Sequence, residues 1–206
     1  YIGDNFEMSN KLSIYGGVRY SGFNLIGART AYSYAQGLPK EKSNILDTLY
    51  YARGKGVTHN GGFEPRLSMR YLLLGNASLK LSYNRTRQYI HMLSNTTSIS
   101  PTDVWKLSDQ NIKPQIGDQL SLGFYYNSPN RLFEFSAESY IKTMQNFLDF
   151  KNGAVLFMNQ TIETDVISTK SRASGIEFLI KKPIGKLNGW LSYTYSRSQK
   201  KKKSPF

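Results

Sequence analysis

Two glutamates, Glu134 and Glu138, come nearest by type and spacing to catalytic chemistry. A carboxylic acid facing a carboxylate is the machinery of glycoside hydrolysis, where the two groups stand roughly 5 to 9.5 Å apart. The stretch Phe133-Glu134-Phe135-Ser136-Ala137-Glu138 alternates apolar and polar residues, so it reads as a strand with both glutamates on one face. At about 3.3 Å per residue, four residues along a strand span roughly 13 Å. That is too far for the reaction, and the pair reads as charge on a polar face.

The remaining chemistry-bearing residues are sparse. His59 and His91 are the only histidines, and cysteine is absent. There can be no disulfide or thiolate metal site, and no His-x-x-x-His spacing offers a metal two ligands on one element. A hydrolase would need a serine beside one of the two histidines, and no spacing supports that pairing. Neither catalysis nor a cofactor is expected. Asn76, Asn84, Asn95 and Asn159 each begin an Asn-x-Ser/Thr triplet, the glycan acceptor of secreted eukaryotic chains. In a chain rich in Asn, Ser and Thr these triplets carry little weight, and Asn84 falls in mid-strand.

The net charge is +13 over 206 residues, and four of the cations sit in one run, Lys200 to Lys203. The other Lys and Arg residues are spread through strands and turns, not gathered on one helix or stripe. This distribution suits solvated loops and a basic interior surface better than a nucleic-acid interface, and no nucleic-acid partner is expected. A basic nucleic-acid-binding protein is kept as a second alternative.

The elements that position these residues are long two-faced strands. In Ala77 to Thr86, Leu79, Leu81 and Tyr83 alternate with Ser78, Lys80, Ser82, Asn84 and Thr86. The same phase recurs in Gln119 to Asn127 and in Leu191 to Ser196. Seven strands are expected, at about Asn10–Phe23, Thr58–Leu73, Ala77–Met92, Asp118–Asn127, Arg131–Phe147, Ser174–Lys182 and Gly189–Arg197. Gly16-Gly17 predicts a bend or bulge in the first. The connections alternate long and short. Polar stretches 24–56, 93–117 and 149–171 are long, and the turns at Gly75, Pro129 and Gly185 are short. Ten-residue alternating strands with short turns on one side and long loops on the other predict an all-β fold, an antiparallel transmembrane β-barrel with periplasmic turns and extracellular loops. No stretch approaches 18 apolar residues, so a membrane-spanning helix is not expected.

The phase gives the two faces. Leu79, Leu81, Leu120, Leu122, Phe124, Phe133, Phe135, Ile176, Phe178 and Leu191 are expected to face lipid. Lys80, Ser82, Ser121, Glu134, Ser136 and Glu177 are expected to face the lumen. Tyr83, Tyr126, Tyr193 and Tyr195 then read as interfacial anchors. A soluble all-β carbohydrate- or ligand-binding module is the competing architecture. The polar residues filling the opposite face favour the barrel.

An odd strand number does not close an ordinary bacterial barrel, so the expectation is about seven strands of a larger one. The barrel region is expected to span residues 1–198. Residues 199–206, Gln-Lys-Lys-Lys-Lys-Ser-Pro-Phe, are expected to be a disordered or artefactual basic tail.

The stretch from Trp105 to Phe124 contains Ile112-Lys113-Pro114-Gln115 followed by Gln119-Leu120-Ser121-Leu122-Gly123-Phe124. It resembles TonB-dependent receptors of the outer membrane. Gly62 to Ser68, Glu138 to Lys142 and the Ser174–Ser196 hairpin resemble the same family's barrel in Bacteroidetes-type bacteria. The resemblance covers about Lys11 to Ser198. It implies a barrel of about 22 strands with a plugged lumen. It also implies uptake of a scarce nutrient (an iron chelate, vitamin or glycan), energised by TonB. The plug and the TonB-contacting box are not among these residues, so TonB contact falls to an N-terminal region outside them. The implied partners are outer-membrane lipid and lipopolysaccharide and a small-molecule or oligosaccharide ligand. For ligand contact, Arg53 and Trp105 are candidates from the loops, and Arg19, Gln88 and Lys142 from the inner surface high on the strands.

Overall fold

In the computed structural model, residues 1–93, 103–156 and 158–202 are described. Asn95, Pro101 and the tail beyond Lys202 lie outside them. Twelve strands are present among the described residues: β1 (Ile2–Ser9), β2 (Leu12–Ile26), β3 (Arg29–Tyr34), β4 (Ile45–Tyr51), β5 (Gly56–Leu74), β6 (Ala77–Gln88), β7 (Ile90–Leu93), β8 (Val104–Leu107), β9 (Gln115–Asn127), β10 (Glu134–Phe150), β11 (Val166–Lys182) and β12 (Gly189–Lys202). Eight form one antiparallel sheet in the order β1-β2-β5-β6-β9-β10-β11-β12, and β3–β4 and β7–β8 are separate hairpins. β1 and β12 are the sheet's two edges, so it is an open wall and not a closed barrel.

The expected count of seven is corrected to eight. The missed strand is β1, paired antiparallel with β2 from Ile2↔Val18 to Ser9↔Leu12. Asp4 stands in its apolar phase between Ile2 and Phe6, which hides the alternation. The strand-parity inference therefore does not hold. The connection at 24–56 holds the β3–β4 hairpin, and that at 93–117 holds β8 and the start of β9. The strand begun at Ala77 stops at Gln88, and β7 belongs to the second hairpin. Gly16-Gly17 forms no bulge: both pair in unbroken register with Gly3 and Asp4 on one side and Arg66 and Leu67 on the other. Gly17 has no Cβ to collide with the Tyr1 and Tyr15 side chains lying over it, so its role is close approach, not bending. Phe133 precedes β10 and closes the β9–β10 turn, its carbonyl accepting from the Ser128 N–H at 2.8 Å. β12 runs on through Lys202, pairing Gln199–Lys202 with Thr169–Arg172.

The register carries the two-faced pattern across the wall. One row reads Leu12, Tyr71, Leu79, Phe124, Ala137, Phe178, Tyr193 from β2 to β12. The next reads Ile14, Met69, Leu81, Leu122, Ser139, Ile176, Tyr195. Leu120 follows beside Tyr83 and Ile141, and on the other side Tyr126, Phe135, Ile180 and Leu191 form a row. These residues share one face. Ser82, Ser121, Glu134, Ser136 and Glu177 share the other, where Ser82 and Ser121 hydrogen-bond at 2.8 Å and Lys181 lies 3.6 Å from Glu134.

The apolar band crosses the rows obliquely. On β2 and β5 it extends to Tyr20 and Phe63, whose rings meet edge-on with centroids 5.3 Å apart. On β6, β9 and β10 it ends two rows earlier, at Tyr83, Leu120 and Ile141, and on β11 and β12 one row earlier still, at Ile176 and Tyr195. A slide of three rows is about 20 Å along the strands over six strand spacings of about 29 Å. The slope of about 35° falls at the lower end of the strand tilt of outer-membrane barrel walls.

At the long-loop end the wall gives way to a packed cap. Leu93, Ile112, Leu156, Ile162 and Val166 are buried together, with Val104, Leu148, Phe150 and Ala154 against them. A bulge between Met144 and Phe147 redirects β10 into this cap. Asn146 takes the left-handed conformation there (φ 55°), which Asn tolerates, and its side-chain amide donates to the Pro114 carbonyl at 2.9 Å.

Candidate functional site

The three long connections pack into a platform joined by polar contacts at their seams. Glu163, in a 3-10 turn of the third connection, is buried. Tyr34 of the first connection donates its hydroxyl to Glu163 at 3.2 Å, and Lys106 of the second places Nζ 3.4 Å from the same carboxylate. Lys106 also pairs with Asp109 at 3.1 Å. The other oxygen of Asp109 accepts from the Asn111 and Ile112 N–H groups, both at 2.8 Å, fixing that turn. The Tyr32 carbonyl accepts from the side chains of Gln110 and Asn111 at 3.0 and 2.8 Å. Lys40 donates to the Asn111 carbonyl at 2.5 Å, and Lys151 to the Lys40 carbonyl at 3.3 Å.

Burial sets the electrostatics of the platform. The Tyr34 hydroxyl is pushed well above its ordinary range, first by burial and then by the adjoining Glu163 carboxylate. Burial lowers Lys40, with Asp109 and Glu163 pulling the other way. His91, on β7 of the second hairpin, is buried with its Nε2 3.0 Å from the Ser108 hydroxyl, and burial holds it below the ordinary imidazole range.

The His91 shift has a definite sign. The folded platform resists protonating His91, while the unfolded loop takes up the proton near pH 6.5. The contribution is therefore complete above about pH 6.5 and is lost as the pH falls below it. Amides of β7 and β8, corrected for intrinsic exchange, are expected to exchange faster at pH 5 than at pH 7.5, and His91→Asn should erase the difference. Equal protection at both pH values in the unaltered chain would refute this.

Beneath the first hairpin is a cavity of about 150 Å³ lined by Arg29, Tyr32, Lys106, Asp109, Asn111 and Glu163 among others. Ligand pockets for drug-sized molecules run to about 300–1,000 Å³, so this is a polar packing seam. A larger hollow, about 710 Å³, lies on the polar face toward the short turns, among Tyr15, Arg70, Lys80, Glu134 and Glu138. The two glutamates sit there as surface charge, Glu134 toward Lys181 and Glu138 hydrogen-bonded to Tyr125.

The five sequence candidates are not brought together. Arg19 and Lys142 share the polar face but stand on β2 and β10, four strand spacings or about 19 Å apart. The Arg19 guanidinium is held by Glu64, whose carboxylate is fully buried. Glu64 also accepts from the Ser21 hydroxyl at 2.6 Å and the Arg87 N–H at 3.2 Å. Gln88 folds back onto the Ile90 carbonyl at 2.8 Å. Arg53 is exposed in the turn leading to β5, and Trp105, on β8, is 66% exposed. Sequence reasoning missed Tyr34, Lys106, Asp109 and Glu163. The alternation of Tyr32 and Tyr34 with the small Ala31 and Ser33 is the signal that could have found the first hairpin within the stretch read as a long connection, but nothing local distinguishes Glu163 as buried.

An all-antiparallel wall with one apolar face, short turns at one end and packed loops at the other defines a segment of an outer-membrane β-barrel. The family model for TonB dependent receptor-like β-barrels matches residues 1–205, and the chain belongs to that family, in the bacterial outer membrane. Solved structures agree in fold. The alcaligin outer membrane receptor FauA from Bordetella pertussis superposes with TM-score 0.57 at 12% identity, over 95% of this chain and 29% of that one. The FrpB iron transporter from Neisseria meningitidis gives 0.59 at 14%, over 96% and 25%. The ferric-catecholate import receptor Fiu from E. coli K12 gives 0.56 at 15%, over 97% and 27%. The chain thus spans between a quarter and three tenths of these proteins. No curated protein sequence matches it.

Proposed function

We propose that this wall belongs to a TonB-dependent receptor importing a scarce nutrient, with an iron chelate as the favoured cargo over a vitamin or glycan. The observation that carries the reading is the single sheet with its apolar outer face and its three packed loops at one end. In this reading the apolar rows meet lipid and the polar face lines the lumen. TonB acts through a part of the receptor outside these residues. Arg53, Gln88 and Trp105 stand at the outer end, and Arg19 and Lys142 face the path inward. Two features support an anionic chelate. The chain carries an excess of 13 positive charges, which focuses anions. The similar structures include an alcaligin receptor and a ferric-catecholate receptor. The sequence stretches from Gly62, Glu138 and Ser174 favour a Bacteroidetes-type bacterium as the source.

Uptake by the intact receptor tests this. Neutralising Arg53 and Lys142 together (Arg53→Gln, Lys142→Gln) is expected to lower uptake of an anionic ferric catecholate about three- to tenfold, with smaller effect on neutral cobalamin. Unchanged uptake of every anionic ligand would remove the electrostatic basis for the cargo.

A further inference from the structure

Above the row that pairs Arg66 with Asn84, the wall divides. β5 stays paired with β2 up to Ile26↔Gly56, and β6 with β9 up to Gln88↔Gln115, but the pairing of β5 with β6 ends at Arg66↔Asn84. It ends at Pro65, which would face Arg85 and has no N–H to offer a ladder. Side chains take over from backbone there. The Arg87 N–H donates to the Glu64 carboxylate at 3.2 Å, and the Tyr89 hydroxyl to the Ser21 carbonyl at 3.0 Å. The Tyr89 ring stacks on Phe23 with centroids 5.5 Å apart, and the Arg87 guanidinium lies against Gly62 in the space a Cβ would fill. Ser21, Phe23, Gly62 and Glu64 all belong to the polar face, whereas Arg87 stands in the phase of Leu81 and Tyr83. The end of β6 therefore overlaps the inner face of β2 and β5 instead of lying beside them, which accounts for the full burial of Glu64.

The division continues upward between the loops. Among the described residues, the apolar core of the cap draws only on residues from Leu93 onward. The β3–β4 hairpin, carried on β2 and β5, is tied to that base by hydrogen bonds: Tyr34 to Glu163, Gln110 and Asn111 to the Tyr32 carbonyl, and Lys40 to the Asn111 carbonyl. The polar cavity of about 150 Å³ lies on the same boundary. Two buried donors beside the overlap, Asn60 Nδ2 and Arg87 Nε, find no acceptor among the described residues. Unmatched donors make the closed seam costlier, and opening it to water relieves them.

A continuous ladder at the foot and a polar seam above it make a hinge. We propose that the upper halves of β2 and β5 move with the β3–β4 hairpin as one flap, turning about the Arg66↔Asn84 row and parting from the rest of the wall along this seam. Parting opens the lumen sideways at its loop end. The proposal rests on the reading that the polar face lines a lumen, not on the cargo, so it stands or falls independently of uptake.

Hydrogen exchange of the intact receptor in lipid vesicles tests whether the flap is one body. Two mild changes sit at opposite ends of the seam. Tyr89→Phe loses the hydroxyl bonded to Ser21, and Tyr34→Phe the one bonded to Glu163. Each is expected to speed exchange about three- to tenfold both in residues 56–64 and in β3–β4. Residues 68–74, below the hinge, should be unmoved. If each change speeds exchange only beside itself, there is no single flap and the proposal fails. Parting is read separately, from spin labels in a cysteine-free receptor. Tyr50→Cys on the hairpin with Asn152→Cys on the base is expected to give two distances, the longer gaining population in Tyr89→Phe. Lys113→Cys with Asn152→Cys, both on the base, should give one. Heat-modifiable gel migration reports folding, and if Tyr89→Phe does not fold, the label pair across the seam in the otherwise unaltered receptor decides. A single distance across the seam overturns the proposal, even where exchange is coupled.

Discussion

Leu81→Arg is expected to destabilise the folded receptor by about 2–4 kcal/mol, while Ser82→Arg, one residue along, costs far less. Leu81 lies in the middle of the apolar band on β6. Leu79 and Tyr83 are its same-face neighbours along the strand, and Met69 and Leu122 flank it across the sheet. An arginine there must hold its charge in hydrocarbon or bend toward an interface several residues away. Ser82 points to the opposite face, where it meets the Ser121 hydroxyl at 2.8 Å and its row holds Ser68. An arginine there reaches water or polar groups. Denaturant-dependent folding of the intact receptor into lipid vesicles measures both costs. Comparable losses at the two positions would mean that the faces are reversed or that neither meets lipid.

A second large effect is expected at Arg19, and it is asymmetric. Glu64 is fully buried, whereas the Arg19 side chain is 43% exposed. Arg19→Ala leaves a buried carboxylate with only the Ser21 hydroxyl and the Arg87 N–H to stabilise it. The loss is expected to be about 3–5 kcal/mol, as for other buried pairs broken from one side. Glu64→Leu leaves instead a guanidinium that already reaches solvent, and the expected loss is about 1–3 kcal/mol for the unpaired donors. Unfolding of both variants in vesicles gives the comparison. If Glu64→Leu proves the costlier, the carboxylate is the partner that solvent can rescue, and the burial argument fails. Arg19 thereby acts first as a structural residue, and any contact with cargo is secondary.

The wall was legible in the sequence because its signal repeats. Leu79-Leu81-Tyr83, Leu120-Leu122-Phe124 and Ile176-Phe178-Ile180 carry the same phase, and the structure places them side by side. β1 was not legible, because Asp4 interrupts a short strand at the sheet edge. Gly16-Gly17 misled in the other direction. Two glycines suggest a bend when read alone, but here Gly17 makes room for Tyr1 and Tyr15, and Gly16 pairs in register with open space above it. The platform stayed hidden for a different reason. Its core draws Leu93, Ile112, Leu156 and Ile162 from two separate connections, none of which shows a periodic run. Glu163 is buried by Tyr34 and Lys106 from connections 129 and 57 residues away in the chain. Local pattern cannot announce a contact made by three loops at once. The candidate residues Arg53 and Trp105 were therefore found by exposure and position, while the residues that tie the loops together were not found at all.

The slanted apolar band has a consequence for how positions in this wall are compared. Val18, paired with Pro65, and Arg172, in line with Thr143, Asp118 and Arg85, stand at the same row count across the sheet, yet one lies within the apolar band and the other beyond its edge. The ladders wind like a screw thread, so equal rank on the thread is not equal height. A charge at Arg172 stands clear of the apolar band, whereas one at Val18 would interrupt it, and Tyr20 on β2 marks the same edge of the band as Tyr195 on β12, three rows lower in the count. Tolerance to substitution should therefore vary along contours that cut across the ladders, and a map drawn rung by rung would misread a smooth gradient as scatter.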